Sequence, residues 1–173
     1  RVLIPDYVSK AGEWLDSQSD NSRVFAYNED RFWTTKWGFR GLSPSLINST
    51  MQPIIFRYTS QNILQTQGSP NQALRLVTIV QRGLRTRQLP RADRLLSLLG
   101  TRWFLLDKSL EFVQGGSYNS MRKTLNEQPG LEFERQIGNY DFYSSDSPRP
   151  LIYTTEKITL LKQLSLKTKP LNL

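Results

Sequence analysis

The chain has 173 residues, 38% of them hydrophobic, and a formal net charge of +8, which suits one domain with a real core and demands no second. It contains neither cysteine nor histidine, so the usual zinc sites, cysteine nucleophiles, serine-histidine-acid triads and histidine general bases are all excluded. The first residue is Arg1, no secretory leader follows it, and no run reaches the roughly 18 apolar residues a membrane helix needs, so the sequence reads as a soluble piece, residues 1–173, of a longer protein.

In chain order, Asp6 to Gln18 follows Pro5 and places Tyr7 or Val8, Ala11, Trp14 and Leu15 on one helical face, with Trp14 as the packing residue. The polar run Ser17 to Ser22 is a turn, and Arg23 to Tyr27 is a short strand of β-favouring residues. Asn28 to Ser49 is a long irregular segment with Phe32, Trp33, Trp37 and Phe39 among charges. Its punctuation is Gly38, Gly41 and Pro44. Ile47 to Gln65 has a spacing compatible with a helix broken early by Pro53, and Asn71 to Gly83 reads as a helix with Leu74, Val77 and either Thr78 or Val80 inward.

After Pro90 comes the stretch that organises the chain, ADRLLSLLGTRWFLLD from Ala92 to Asp107. Leu95, Leu96, Leu98 and Leu99 form one wide helical face, and Gly100 stands where a left-handed cap needs a residue without a Cβ. Trp103, Phe104, Leu105 and Leu106 are apolar without alternation, as in a strand covered on both faces, and Asp107 closes it. Beyond it lie a short helix over Tyr118 to Glu127, a Gln128-Pro129-Gly130 turn, and a hairpin from Leu131 to Tyr143. In its first strand Leu131, Phe133, Arg135 and Ile137 alternate against Glu132, Glu134 and Gln136. Leu151 to Tyr153 and Ile158 to Leu161 are two further strand candidates before a lysine-rich tail. The fold expected is mixed α+β, an α/β arrangement in a single domain. Its mixed sheet is flanked by helices, Val24 to Tyr27 lies beside Trp103 to Leu106, and the C-terminal β-hairpin extends the sheet.

Two groups of residues are candidate ligand contacts. Trp33, Trp37 and Phe39, with Glu29, Asp30 and Arg40 nearby, could stack on a sugar ring and bind its hydroxyls, or could fold their loop onto the core. Glu29 and Asp30 are adjacent and would point to opposite sides of a strand, which argues against an acid/base pair. Between Arg75 and Arg102 stand seven arginines against one acid, Asp93. Arg82, Arg85, Arg87 and Arg91 could contact phosphates of a membrane surface or a lipid-linked sugar, or could be a solvated face whose stems cover apolar surface. No metal-ligand or cofactor motif is present, and the Asn48-Ser49-Thr50 sequon is of a kind that arises by chance.

Four pieces in this order, DYVSKAGEWL with RVFAY, FWTTKWGFRGLSPS, LLSLLGTRWFLLD, and FERQIGNYDFYSSDSPRPLIY, together resemble the extracytoplasmic soluble domain of polytopic membrane proteins of the GT-C glycosyltransferase and YfhO-like superfamily. That pattern has a leucine-rich helix, then Leu-Gly-Val-Arg/Lys-Tyr and a hydrophobic strand, then a hairpin ending in tyrosine, polar residues and Pro-Arg. Thr101 and Trp103 depart from the commoner valine and tyrosine. The resemblance implies a domain outside the cytoplasm beside the bilayer, packed with the transmembrane part of the same chain. Its parent would transfer sugars from lipid-phosphate carriers in cell-envelope glycan or glycolipid synthesis. The family's catalytic carboxylates sit in a loop between membrane helices that this piece lacks, so no catalytic residue is assigned. The role implied is non-catalytic support of acceptor or lipid-linked donor. The composition leaves a second reading open, a self-contained basic module for nucleic acid or another polyanion. No RNA-recognition, helix-turn-helix or zinc-finger spacing appears, which points away from nucleic acid.

Overall fold

The computed structural model describes residues 3–18, 22–28, 32–56, 72–111 and 117–145. The strand candidates at 151–153 and 158–161 lie outside the described residues. Helices α1 (Asp6–Ser17), α2 (Gln72–Arg85), α3 (Ala92–Leu98) and α4 (Tyr118–Asn126) surround strands β1 (Arg23–Ala26), β2 (Trp33–Thr34), β3 (Arg40–Gly41), β4 (Ile54–Ile55), β5 (Thr101–Asp107), β6 (Leu131–Ile137) and β7 (Tyr140–Ser145). Five strands form one sheet in the order β4-β1-β5-β7-β6, while β2 and β3 pair by themselves. β1 runs parallel to both β4 and β5, and β7 runs antiparallel to both β5 and β6. The fold is therefore mixed α+β, with the sequence-expected neighbours β1 and β5 at its centre and the hairpin extending the sheet.

The helix–glycine–strand unit forms as its residues require. Leu99 caps α3, Gly100 takes φ 65°, and the Gly100 carbonyl accepts from Arg23 N–H, so the glycine also starts the pairing of β1. Trp103 through Leu106 are buried, because the sheet carries a core on each face. On one face Phe25, Phe104, Leu106 and Tyr143 pack beneath α2, α3 and α4 with Val80, Leu84, Leu96 and Leu125. On the other, Val24, Ala26, Trp103, Leu105 and Phe142 pack beneath α1 and the loop after β1, through Val8, Leu15, Trp33 and Leu46. Trp14 is the expected packing residue of α1, its ring 5.1 Å from Trp103 and 4.7 Å from Phe142. In α2 the inward position is Val80 beside Val77, with Thr78 half-buried.

Two local expectations are corrected. The helix-compatible segment from Ile47 does not form a helix through residue 56. A 3-10 turn, Ser45–Asn48, ends before Pro53, and the β-branched pair Ile54–Ile55 becomes the edge strand β4. The even alternation expected along the hairpin is also broken. A bulge between Phe133 and Arg135 sets Phe133 opposite Tyr143 but Arg135 opposite Phe142. One extra residue flips everything after it to the other face of the sheet. Leu131 and Phe133 thus lie on the α4 side, while the Arg135 guanidinium lies 5.3 Å from the Trp14 ring on the α1 side. β6 is the outer strand, where such a bulge leaves Glu134 alone out of the pairing and disfavours edge-to-edge association.

Candidate functional site

β1 and β5 are parallel, so their carboxyl ends emerge on one side of the sheet, where open α/β sheets gather ligand-binding loops. The segment leaving β1 crosses this end and is fastened to the turn after β5. Glu111 N–H donates to Thr34 O at 2.9 Å, Lys36 N–H donates to Ser109 O at 2.8 Å, and Thr35 bridges Leu110. Thr35 and Phe39 then close a tight turn, with Thr35 N–H on Phe39 O at 2.9 Å and Phe39 N–H on Thr35 Oγ1 at 3.0 Å. Gly38 supplies the φ of 93° this turn requires.

The turn presents two aromatic rings together. Trp37 and Phe39 stack with centroids 5.6 Å apart and planes 26° apart, both half-buried. A Cβ at position 41 would stand 2.6 Å from the Phe39 ring, so the glycine there lets the ring lie across the chain. Arg40 is exposed, its guanidinium 4.7 Å over Phe32. Trp33 is only 2% exposed and meets Phe56 edge-on at 6.2 Å, which fits the core-folding role open to it. Glu29 and Asp30 lie outside the described residues.

Beneath the stacked pair is a buried carboxylate. Asp107 Oδ1 accepts from Ser109 N–H at 2.7 Å and from Ser109 Oγ–H at 2.6 Å, and Ser109 Oγ receives the Trp37 indole N–H at 3.3 Å. Burial pushes the Asp107 carboxyl up to about 6, against the opposing effect of the Ser109 bonds and the Lys36 charge. Tyr140, opposite Asp107 in the sheet, shares a 2.7 Å hydrogen bond with Ser45, and its phenol is pushed above its ordinary range by burial and by Asp107. In the sequence Asp107 stands out only as a strand terminator, although Asp-x-Ser is the signature of the turn it forms.

The arginines are distributed over a different surface. Arg75, Arg82 and Arg85 are exposed at spacings that place them along one stripe of α2. Arg87 is exposed just past the helix with φ 55°, and Gln88 N–H bonds back to Gly83 O while Arg87 N–H bonds to Leu84 O, a Schellman end normally given to glycine. Arg91 differs from the rest. Its guanidinium holds the buried Asp93 carboxylate in a two-pronged ion pair at 2.6 and 2.8 Å, and this pair keeps Asp93 below the usual carboxylate range.

A mixed sheet with helices on both faces and an aromatic turn docked across its carboxyl end is thus the class of domain the chain defines. No protein-family model matches the sequence, and no curated protein matches it. A domain of this fold does occur in solved cryo-EM structures of the arabinofuranosyltransferase AftD from Mycobacteria. One aligns over 84% of this chain with a TM-score of 0.68 at 16% identity. A mutant of the same enzyme aligns over 86% with a TM-score of 0.70 at 15% identity. At such identities the likeness is one of fold. This chain spans 12% to 13% of the length of the chains it matches.

Proposed function

We propose that this chain is a non-catalytic domain of a GT-C-like membrane glycosyltransferase of the cell envelope, held on the extracytoplasmic side. There it presents the Trp37–Phe39 face to a glycan acceptor or to the sugar of a lipid-linked donor. The observation that carries the reading is the fold shared with part of a much longer arabinofuranosyltransferase. The sequence resemblance to GT-C extracytoplasmic domains supports it independently. No helix among the described residues is long and apolar enough to cross a membrane.

The chemistry of the turn suits carbohydrate. A flat, half-open pair of rings can cover the C–H face of a pyranose or furanose, and the exposed Arg40, next in the chain after Phe39, would donate to its hydroxyls. Asp107 and Ser109 fix the indole from below without reaching the ligand. The arginine stripe of α2 would face phosphate head groups at the bilayer. Bond-making would be left to the parent's membrane-loop carboxylates, so donor hydrolysis or transfer by the 173-residue chain alone is not expected.

The test is fluorescence titration of the chain with arabinofuranosyl oligosaccharides. Saturable quenching that Trp37→Ala abolishes, with the melting temperature nearly kept, is the expected result. Binding that persists in Trp37→Ala would remove the platform from the account.

A further inference from the structure

On the opposite face of the sheet, a second buried carboxylate organises a cationic surface that the aromatic turn does not share. Asp141 is the second residue of β7 and has no exposure, standing between Tyr140 and Phe142, which pack on the other side. Its Oδ2 accepts from the Tyr118 hydroxyl and pairs with Arg122 Nε at 3.3 Å. Its Oδ1 is buried and has no hydrogen-bond partner among the described residues. Both partners come from the first two turns of α4, and both meet the same carboxylate oxygen.

These contacts fix a guanidinium at the surface. The Arg122 carbon Cζ lies 6.0 Å from the Tyr118 ring and 5.6 Å from the ring of Phe133, which is 45% exposed. The Arg122 side chain is still 43% exposed, so the outer edge of its fork is open to solvent while Nε is held from below. Lys108 is exposed as well, its ammonium 5.8 Å from the same Tyr118 ring. Two cations flank one ring over one buried anion. The local sum is a single positive charge, presented by a pre-oriented fork and a point charge beside an open aromatic.

We propose that Arg122 and Lys108, seated over Asp141 and Tyr118, form a binding site for a phosphodiester. The planar fork of arginine matches two oxygens of a phosphate, lysine contributes charge without a fixed geometry, and a phosphodiester carries the single negative charge the cluster lacks. Asp141 acts as a positioning residue, spending its own charge on holding Arg122 in place. Phe133 offers an apolar contact to whatever the phosphate is esterified to. This site stands on its own residues and does not depend on the glycan reading of the Trp37 turn.

The experiment is titration of the 173-residue chain with glycerophosphoglycerol, a soluble phosphodiester, and, in a separate arm, co-sedimentation with phosphatidylglycerol and with phosphatidylcholine vesicles. Lys108→Gln, an exposed change, should weaken binding roughly fivefold, as loss of one arginine or lysine near an anionic group does. Arg122→Lys keeps a positive partner for Asp141 but removes the fork, and should weaken binding by at least about tenfold while the melting temperature stays within a few degrees. Binding in both arms with this variant dependence supports a general phosphodiester site. Variant-dependent binding to phosphatidylglycerol vesicles alone assigns the site to lipid head groups. No binding in either arm, or binding indifferent to both substitutions, would overturn the proposal.

Discussion

Trp37 donates its indole N–H to Ser109 Oγ at 3.3 Å, and the same hydroxyl donates to Asp107 at 2.6 Å, so the ring on the loop after β1 is tied to the buried end of β5. Removing that hydroxyl should act on both partners. Ser109→Ala is expected to cost about 1.5–3 kcal/mol at neutral pH, the range for a hydrogen bond to a charged group. It should also red-shift the Trp37 emission as the ring loosens. Wild-type stability together with unchanged emission would show that the chain of bonds carries no weight.

The buried acid predicts a pH dependence of defined sign. The folded Asp107 carboxyl is pushed up to about 6 from an ordinary 3.8, so between these values the folded state holds more protons than the unfolded one. Stability is then lost as pH rises through this window, by up to about 3 kcal/mol from this group alone. Asp107→Asn removes the titration. Denaturant unfolding at pH 4, 5, 6 and 7 should show the wild type losing stability relative to this variant as pH increases, and parallel curves would contradict it.

Leu105 lies in the central strand, buried against the α1 side of the core. Leu105→Ala should cost about 2–5 kcal/mol in chemical unfolding, because the neighbouring aromatics cannot collapse fully into the space. A loss below about 0.5 kcal/mol would place the strand at the surface.

The centre of this fold is legible in the sequence because it is built from local rules. A leucine face, a glycine at the one position that needs positive φ, and an unalternating apolar run each have a single economical reading, and α3, Gly100 and β5 follow it. The bulge in β6 is not legible, since two-residue counting gives no sign that Glu134 is the extra residue. Nor are the two buried acids. Asp107 is satisfied by its own turn, but Asp141 is engaged through one oxygen from α4, 23 residues away in the case of Tyr118, and nothing near it announces that pairing. The one available signal is an acid inside the otherwise apolar run Tyr140 to Tyr143. Of the aromatic loop, the sequence shows the residue types but not that Trp33 turns inward while Trp37 and Phe39 stack outward.

The arginines separate into structural and exposed members, and substitutions should divide accordingly. Arg91→Gln leaves the buried Asp93 carboxylate without its two-pronged partner and should cost about 1 kcal/mol, tempered by the half-exposed guanidinium. Arg82→Gln should stay within about 0.5 kcal/mol. Changing Arg82, Arg85 and Arg87 together should lower partitioning onto anionic vesicles on the order of a hundredfold at low salt, from about 1 kcal/mol for each arginine. High salt should erase most of that difference. Equal binding of wild type and triple variant would leave the stripe a solvated face.

Trp37 is the indole proposed to meet a glycan, and the chain's four tryptophans allow a direct reading. Trp33 and Trp103 are buried, and Trp14 is covered in part by Arg135. In an amide and indole correlation spectrum of the ¹⁵N-labelled chain, added arabinofuranosyl oligosaccharide should move the Trp37 indole peak saturably and leave the Trp33 and Trp103 peaks in place. An unmoved Trp37 peak at saturating oligosaccharide would contradict the central claim.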